Sequence, residues 1–370
     1  MLERIKFSKR ICIKAGTSML TDKAGFFCSN LLDGLGQQIL SLIQSGREVV
    51  LVSSGAIGLG MEIAGYKKRP REMAKLQACA AIGQGKLMHA YERFFSKKDV
   101  HTAQILLTRD GLEQRERFLR ARCTMEALLR MKVIPIVNEN DTVSTEEIGF
   151  GDNDNLSVHV AHLMRADLLI LLSDVDGFYL RDGSRIRLVE SKDEIDNELV
   201  KHIVDRKKEK NVGGMQAKLR AAGTAMKLGI PLLIVNGHDE NVVQRALQGD
   251  DVGTLFLPGK GRKNSRRSWL AFSAPRQGTL IVDDGAHAAL CQKKVSLLPR
   301  GLLKVRGTFD RGAVVELETR GARVFGRGVS KYSSEELQHM AGKKTNEIQI
   351  VLGYKHDDEV VHRNDMVLWD

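Results

Sequence analysis

The 370-residue sequence lacks any apolar run near the ~20 residues that a bilayer span requires. Its longest strong run is the "LLILL" of 168–172, so no membrane-spanning role is expected. The opening "MLERIKFSKRICIKAG" holds too short an apolar piece for a secretory signal. Paired cysteines are missing too. Cys12, Cys28, Cys79, Cys123 and Cys291 are scattered with no C-x-x-C spacing, which points to reduced, buried thiols and a cytoplasmic location. The Walker pattern G-x-x-x-x-G-K-[ST] is absent, and the Ca²⁺-loop pattern cannot be laid over Asp152, Asn153, Asp154 and Asn155. No obvious Ser–His–Asp or Cys–His set stands out. What is present is ordinary for a globular chain: 42% hydrophobic and 28% charged residues, enough for two or three domains. The net charge of +11 and the pI of about 9.4 admit nucleic acid, a membrane surface or an anionic substrate as partner and do not choose among them.

Along the first two-thirds, short β-branched runs alternate with helical segments. "RICIK" and "EVVLVSS" are separated by "NLLDGLGQQILSLIQSG", whose Leu and Ile recur at helical spacing and which stops at Gly46. "TAQILLT", "VIPIV", "LLILLS" and "PLLIV" follow. Their continuous apolar character is that of strands buried on both faces, so the expected fold is an α/β, parallel-rich open sheet sandwiched by helices. Its functional loops are expected at the strand C-terminal ends. The run "SRIRLVESKDE" (184–194) reads as a solvated hairpin and its exit. The basic stretch "PGKGRKNSRRSW" then breaks the pattern. Beyond it, "GTLIVDD", "GAVVELE", "ARVFGRGVS" and "EIQIVLG" read as short strands of a small, mostly β domain. The expected organisation is a first domain over 1–257, a basic linker over 258–277 and a β-rich domain over 278–370.

Three glycine turns carry the candidate chemistry. "KAGTS" and "SSGAIGLG" each follow a strand, where backbone N–H groups can hold an anion. Lys14 ends a buried strand, an uncommon place for a purely structural lysine. The third turn, "NVGGMQAK", precedes a helix with Lys218 in its first turns. A helix N-terminus is already partly positive, so a lysine there suits a bound phosphate. Phosphoryl transfer is mostly positioning and charge neutralisation. Two lysines on facing turns, fixed by a nearby Asp, would serve it. An acceptor carboxylate with pKa about 4 is already ionised and needs no general base. The stretch "NENDTVSTEEIGFGDNDNLS" (138–157) then makes sense as a pocket for an acceptor with an ammonium group. A competing reading places a metal at His159 and His162, three apart on a helix, with Asp152 and Asp154 upstream; no third ligand of suitable spacing stands out.

The motifs "IKAGTSML", "VSSGAIGLG", "IVNENDTV", "GDNDNLS", "LLSDVDGFY" and "VGGMQAKLRAA" occur in this order, and together they resemble the glutamate-phosphorylating branch of the amino acid kinase family. "GTLIVDDGAHAAL", "SLLPRGLLKVRGTFDRGAVVEL" and "GRGVSKYSSEEL" look like the PUA domain that many bacterial members append. The resemblance implies ATP-dependent phosphorylation of the L-glutamate γ-carboxylate with Mg²⁺, the first step of proline biosynthesis. It implies that Lys14 and Lys218 hold the phosphates, with Asp154 orienting them. Ser54, Asn138, Asp141, Asp152 and Asn153 would line the glutamate site. Gly16, Gly55, Ser173, Asp174, Gly213, Gly214 and Met215 would meet the nucleotide. No residue is assigned to a resident metal. A homo-oligomer, feedback inhibition by proline and hand-off of the labile product to glutamate-5-semialdehyde dehydrogenase are also expected. The family's last glycine turn reads closer to G-T-G-G-M-x-T-K. Here Val212 and Ala217 stand for hydroxyl residues, and Ser173 for a frequent threonine.

Two rivals remain. One is another kinase of the same fold. A phosphorylated acceptor would call for Arg or His in 138–157, which contains no Arg, Lys or His. The other is an RNA-binding protein that uses the C-terminal domain and the basic stretch, against which the Lys14, Lys218 and Asp154 set argues. RNA is accordingly not the expected partner.

Overall fold

The computed structural model describes residues 3–22, 27–144, 152–180, 182–191, 212–258, 276–293 and 295–369. The chain divides into two compact units, Met1–Leu112 with Glu116–Arg262, and Glu113–Arg115 with Lys263–Asp370. Most of the stretch expected as a linker, 259–275, lies outside the described residues.

The first unit is built on strands β1 (Arg10–Ala15), β2 (Glu48–Ser53), β3 (His101–Leu107), β4 (Val133–Glu139), β5 (Leu168–Ser173), β6 (Phe178–Tyr179), β7 (Arg185–Ile186), β8 (Leu188–Val189), β9 (Leu232–Asn236) and β10 (Gly253–Phe256). Among the described residues eight of them form one sheet in the order β3-β4-β2-β1-β5-β9-β10-β8. All neighbours in it are parallel except β10 against β9. The expected parallel-rich sheet is present. Its register aligns the strand ends: Lys14 lies opposite Val52 of β2 and Leu171 of β5, and Val52 lies opposite Val137 of β4. Ser173 lies opposite Asn236 of β9. The C-terminal ends of β1, β2, β4, β5 and β9 therefore share one edge, the place where open α/β sheets carry their ligands.

Side chains alternate across a strand. On β1, Ile11, Ile13 and Ala15 join the core built with the helices Ser29–Gln44 and Met73–Ser96. Cys12 and Lys14 take the opposite face, where the Cys12 thiol reaches the backbone oxygen of Ser157 on the helix Asp152–Leu163. β5 is buried along its whole length. Each fully buried Leu or Ile there contributes about 1.5–3 kcal/mol. The buried strand end that carries Lys14 is thus held by apolar packing on both sides.

One helix pair fixes the turn after β2. The helix Ala56–Ile63 follows β2 through Gly55, whose φ of 102° is left-handed; a residue with a Cβ would be strained there. This helix then meets Met73–Ser96 at backbone contact. A Cβ on Gly60 would stand 1.7 Å from the Cys79 carbonyl oxygen, and one on Gly83 would stand 1.8 Å from that of Ala56. Only glycine permits so close a crossing.

The second unit has a five-stranded sheet among its described residues. Its strands are β11 (Gly278–Val282), β12 (Leu302–Arg306), β13 (Val314–Thr319), β14 (Val324–Val329) and β15 (Met366–Leu368), in the order β12-β11-β13-β14-β15. On β13, Val315 and Leu317 enter the core with Phe325 and Tyr332. Glu316 and Glu318 face the other way and pair with Arg276, Arg327 and Arg306. The mostly β character is as expected.

Two local expectations are corrected. "EIQIVLG" is not a strand: Thr345–Glu347 forms a 3₁₀ turn and Ile348–Leu352 a helix that ends at Gly353 in the left-handed region, φ 78°. Ile348 is buried and Leu352, four residues on, packs against the same core, while Ile350 is 84% exposed. Burial at i and i+4 is the helical pattern, and it outweighs the β-branched composition. The run 184–194 is not a self-contained hairpin either. β7 pairs antiparallel with β6, whereas β8 pairs parallel with β10 at the edge of the large sheet. Thr254 of β10 accounts for the split: its hydroxyl donates to the Ile186 carbonyl and accepts from the Phe178 amide, stitching both short strands to the sheet. Residues 192–194 lie outside the described ones.

Candidate active site

At the shared strand edge Lys14 leaves β1 and meets Asp154, in the first turn of the helix Asp152–Leu163. The Lys14 ammonium is 2.6 Å from Asp154 Oδ1, and Lys218 Nζ is 3.5 Å from Asp154 Oδ2. Lys218 comes from the helix Val212–Leu228, which packs beside Asp152–Leu163. One buried carboxylate therefore holds two cations. Burial is the largest influence on Lys14 and lowers its pKa from 10.5; the Asp154 charge opposes it, Lys218 adds to the lowering, and Asp174 opposes it. A buried charge persists only when paired, and here one carboxylate is shared by two cations at the C-terminal edge of the sheet.

Gly16 lies directly above this ammonium. A Cβ there would be 3.3 Å from Lys14 Nζ, so glycine keeps backbone and ammonium close. Ser173, at the end of β5, donates its hydroxyl to the Asp174 carboxylate at 3.1 Å. The third glycine turn differs from expectation. Val212, Gly213, Gly214 and Met215 do not precede the helix but form its first turn. Their N–H groups have no intrahelical partner, as at any helix start, so the anion-binding logic survives with the glycines inside the helix. Asn211 and the side chain of Val212 lie outside the described ones. Ala217 is buried.

Of the residues expected at the glutamate site, Ser54, Asn138 and Asn153 form a second cluster next to Asp154. Asn153 Nδ2 donates to the Ser53 carbonyl (3.1 Å), Ser54 Oγ (2.8 Å) and Asn138 Oδ1 (3.1 Å). Asn138, almost fully buried, also accepts from the Glu139 amide at 2.9 Å and donates to Gln84 Oε1 at 2.9 Å. Asn153 Oδ1 is buried and has no hydrogen-bond partner among the described residues. A buried acceptor left in this state costs about 1–3 kcal/mol, and a ligand donor would remove the cost. Asp141 is half-buried in the turn after β4. Asp152 opens its helix, but its side chain is outside the described ones, as is the loop 145–151.

His159 lies on the same helix, and burial, with Arg109 adding to it, lowers its pKa to about 4. Among the described residues no group of three His, Cys, Asp or Glu side chains is arranged around a metal position. No helix among them is long and apolar enough to cross a membrane. The sequence reading missed Gln84, Gln104, Tyr91 and Ser53. Tyr91 OH and Ser53 Oγ are 2.9 Å apart under the Ser54 turn. The one available signal was the polar Gln84 beside Gly83 on an otherwise amphipathic helix.

Glycine turns and paired lysines at the C-terminal edge of such a sheet define a phosphoryl-transfer protein of the amino acid kinase class. The chain belongs to the amino acid kinase family, which it matches over residues 9–236, and carries a PUA domain over 278–352. Within that family it groups with the glutamate 5-kinases. The glutamate 5-kinase of Geobacter sulfurreducens is 44% identical over 363 residues, 97% of each chain. That of Pelobacter propionicus is 43% identical over 363 residues, again 97% of each. That of Moorella thermoacetica is 42% identical over 364 residues, 98% of this chain and 96% of its own. A carbamate kinase from Giardia lamblia, in a structure bound to AMP-PNP, shares the fold with a TM-score of 0.51 at 16% identity, over 68% of this chain and 99% of its own.

Proposed function

We propose that the chain transfers the terminal phosphoryl group of ATP to the γ-carboxylate of L-glutamate, the first step of proline biosynthesis. A carboxylate oxygen bonds to the γ-phosphorus as the bond to the β–γ bridging oxygen breaks. The electron pair leaves with ADP, and γ-glutamyl phosphate forms. The observation that carries this reading is the single buried Asp154 holding Lys14 and Lys218 together beside the Asn138–Asn153 carboxamides.

In this reading Lys14 and Lys218 neutralise charge that grows on the phosphoryl oxygens, and Asp154 keeps both ammonium groups in place without a reorganisation cost during the reaction. Gly16 and Gly55 offer backbone N–H groups, and Ser173, Asp174 and the first turn Gly213, Gly214, Met215 meet the nucleotide. Ser54, Asn138, Asp141, Asp152 and Asn153 bind the acceptor. The acceptor is already ionised, so no side chain has to remove a proton.

Mg²⁺ fits the donor set at this edge. Asp154 and Asp174 both lie near enough to act on the charge of Lys14. Asp154 is committed to two lysines, so Asp174 would be the residue to hold the ion or its water shell. When bound, Mg²⁺ neutralises phosphate charge. Proline, with its own ammonium and carboxylate, would compete for the acceptor pocket. A homo-oligomeric, cytoplasmic enzyme that passes its labile product to glutamate-5-semialdehyde dehydrogenase completes the reading.

The test is ATP-dependent formation of hydroxamate from L-glutamate in the presence of hydroxylamine, which traps an acyl phosphate. Lys14→Ala and Lys218→Ala should each lower kcat by at least ~10², the scale of losing one preorganised charge-stabilising donor. No hydroxamate from the unaltered protein, or near-normal turnover in either variant, would overturn the assignment.

A further inference from the structure

We propose that Gln84 is a positioning residue for the acceptor pocket. By accepting from Asn138 Nδ2 it reinforces the carboxamide orientation that the Glu139 backbone N–H gives Asn138, and so steadies the contact to Asn153, whose Oδ1 is presented to the ammonium group of the amino-acid substrate. This deepens the glutamate reading above and rests on it.

The orientation of each amide follows from partners that have no choice. The Ser53 carbonyl can only accept, so the atom of Asn153 facing it at 3.1 Å is Nδ2. The Glu139 backbone N–H can only donate, so the atom of Asn138 facing it at 2.9 Å is Oδ1. Asn138 Oδ1 then also accepts from Asn153 Nδ2 at 3.1 Å. That leaves Asn138 Nδ2, on a nearly fully buried side chain, in need of an acceptor, which Gln84 Oε1 supplies at 2.9 Å. Gln84 Nε2 in turn donates to Gln104 Oε1, on the edge strand β3, at 3.3 Å. The chain of amides has one polarity, running from Gln104 through Gln84 and Asn138 to Asn153. Its free end is Asn153 Oδ1, buried and without a partner among the described residues.

Gln84 can hold this position because the backbone beside it cannot move. Its neighbour Gly83 lies against the Ala56 carbonyl, where a Cβ would come within 1.8 Å. The same crossing anchors the helix that starts at the Gly55 turn, next to Ser54. One close helix contact therefore sets both the Ser54 turn, which meets Asn153, and the Gln84 amide, which meets Asn138. An ammonium group has three donors and no acceptor. A relay ending in an acceptor suits it; a relay of the opposite polarity would present Nδ2 and repel it.

The polarity makes a prediction that volume does not. Gln84→Glu still accepts from Asn138 Nδ2, and the exposed Gln104 can turn its amide to donate. Gln84→Leu removes the acceptor. Gln84→Lys can only donate, which sets an ammonium group against Asn138 Nδ2 and pushes the carboxamide out of the orientation that the Glu139 N–H and Asn153 Nδ2 share. The KM for L-glutamate in the hydroxamate assay should stay within about twofold of the unaltered protein for Glu, rise about tenfold for Leu and rise further for Lys, the scale of losing a hydrogen bond to a charged group. The KM for ATP should stay constant in all three, which also reports an intact fold. Equal KM for glutamate in all three variants, whether shifted or not, or a parallel rise in the KM for ATP, would overturn the positioning role while leaving the substrate reading standing. An unaltered protein that makes no hydroxamate from L-glutamate would instead defeat the substrate reading, and this proposal with it.

Discussion

The Lys14 ammonium stands 2.6 Å from an Asp154 carboxylate oxygen, with side-chain exposures of 7% and 1%. A pair this far from water is retained at a desolvation cost of several kcal/mol per ion. The second lysine, Lys218, draws on the same carboxylate. Two cations share this one carboxylate, so the Lys14–Asp154–Lys218 trio taken alone is net positive, which is a poor arrangement for stability and a good one for a polyphosphate.

This arrangement has a pH signature. Burial and Lys218 lower the Lys14 pKa below 10.5, and Asp154 and Asp174 oppose the lowering. A lysine loses its charge as pH rises through its folded-state pKa. The alkaline fall of kcat/KM for ATP should therefore begin below the pH at which an ordinary lysine titrates. Asp154→Asn removes a carboxylate that raises this pKa, so the alkaline limb of its residual activity should move to lower pH, with kcat reduced by ~10² or more. A pH profile in which the limb stays put or moves upward would show that Asp154 is not the counter-ion that matters.

The acceptor cluster predicts a separation of Michaelis constants. Asn153→Ala and Asp141→Ala should raise the KM for L-glutamate by about ten- to a hundredfold, the range for losing a hydrogen bond to a charged group, roughly 1.5–3 kcal/mol. The KM for ATP should change little. Steady-state kinetics with each substrate varied in turn checks this. Weakened ATP binding with glutamate unaffected would mean that the two pockets are assigned the wrong way round.

The helix crossing predicts a loss of stability at a site that touches no ligand. Gly83→Ala would place a methyl group 1.8 Å from the Ala56 carbonyl, so the two helices must separate. Overpacking of this kind costs typically ~1–3 kcal/mol. Thermal unfolding should show a lower Tm, and the KM for glutamate should rise because the Ser54 turn and Gln84 shift together. Gly85→Ala, where a Cβ meets nothing within 4 Å, serves as the control and should leave Tm unchanged or slightly higher through its better helix propensity.

The sheet was legible because parallel strands are buried on both faces and leave continuous apolar runs, as β5 does. Lys14 was legible as a charged residue at the end of such a run. Gln84 was not, since its role depends on a backbone crossing between Gly60 and Gly83 that no local spacing encodes. The segment 347–353 is ambiguous in sequence because "IQIVL" satisfies both a period of two and an i, i+4 pair; only the packing of Ile348 and Leu352 on one core decides between them. Local spacing places the first turn of Val212–Leu228 ahead of the helix because glycine disfavours helix interiors, yet at a helix start the glycines cost less and leave N–H groups open to a phosphate.

The last prediction concerns the C-terminal unit. The two units have separate apolar cores, one with Ile13, Leu51 and Ile170, the other with Leu280, Val315 and Phe325. Every residue assigned to chemistry lies before 220, and the last strand of the large sheet, β10, ends at Phe256. A chain ending near Lys260 should therefore fold and still form hydroxamate from L-glutamate. What should change is modulation, such as the response to proline or to Mg²⁺ concentration, since a flanking domain can bias an equilibrium without contributing to the site. Comparing the truncated and full chains in the hydroxamate assay, with and without proline, decides it. A truncated protein that is soluble and cooperatively folded yet inactive would mean that the C-terminal unit supplies part of the catalytic site, and the functional boundary would have to move beyond 257.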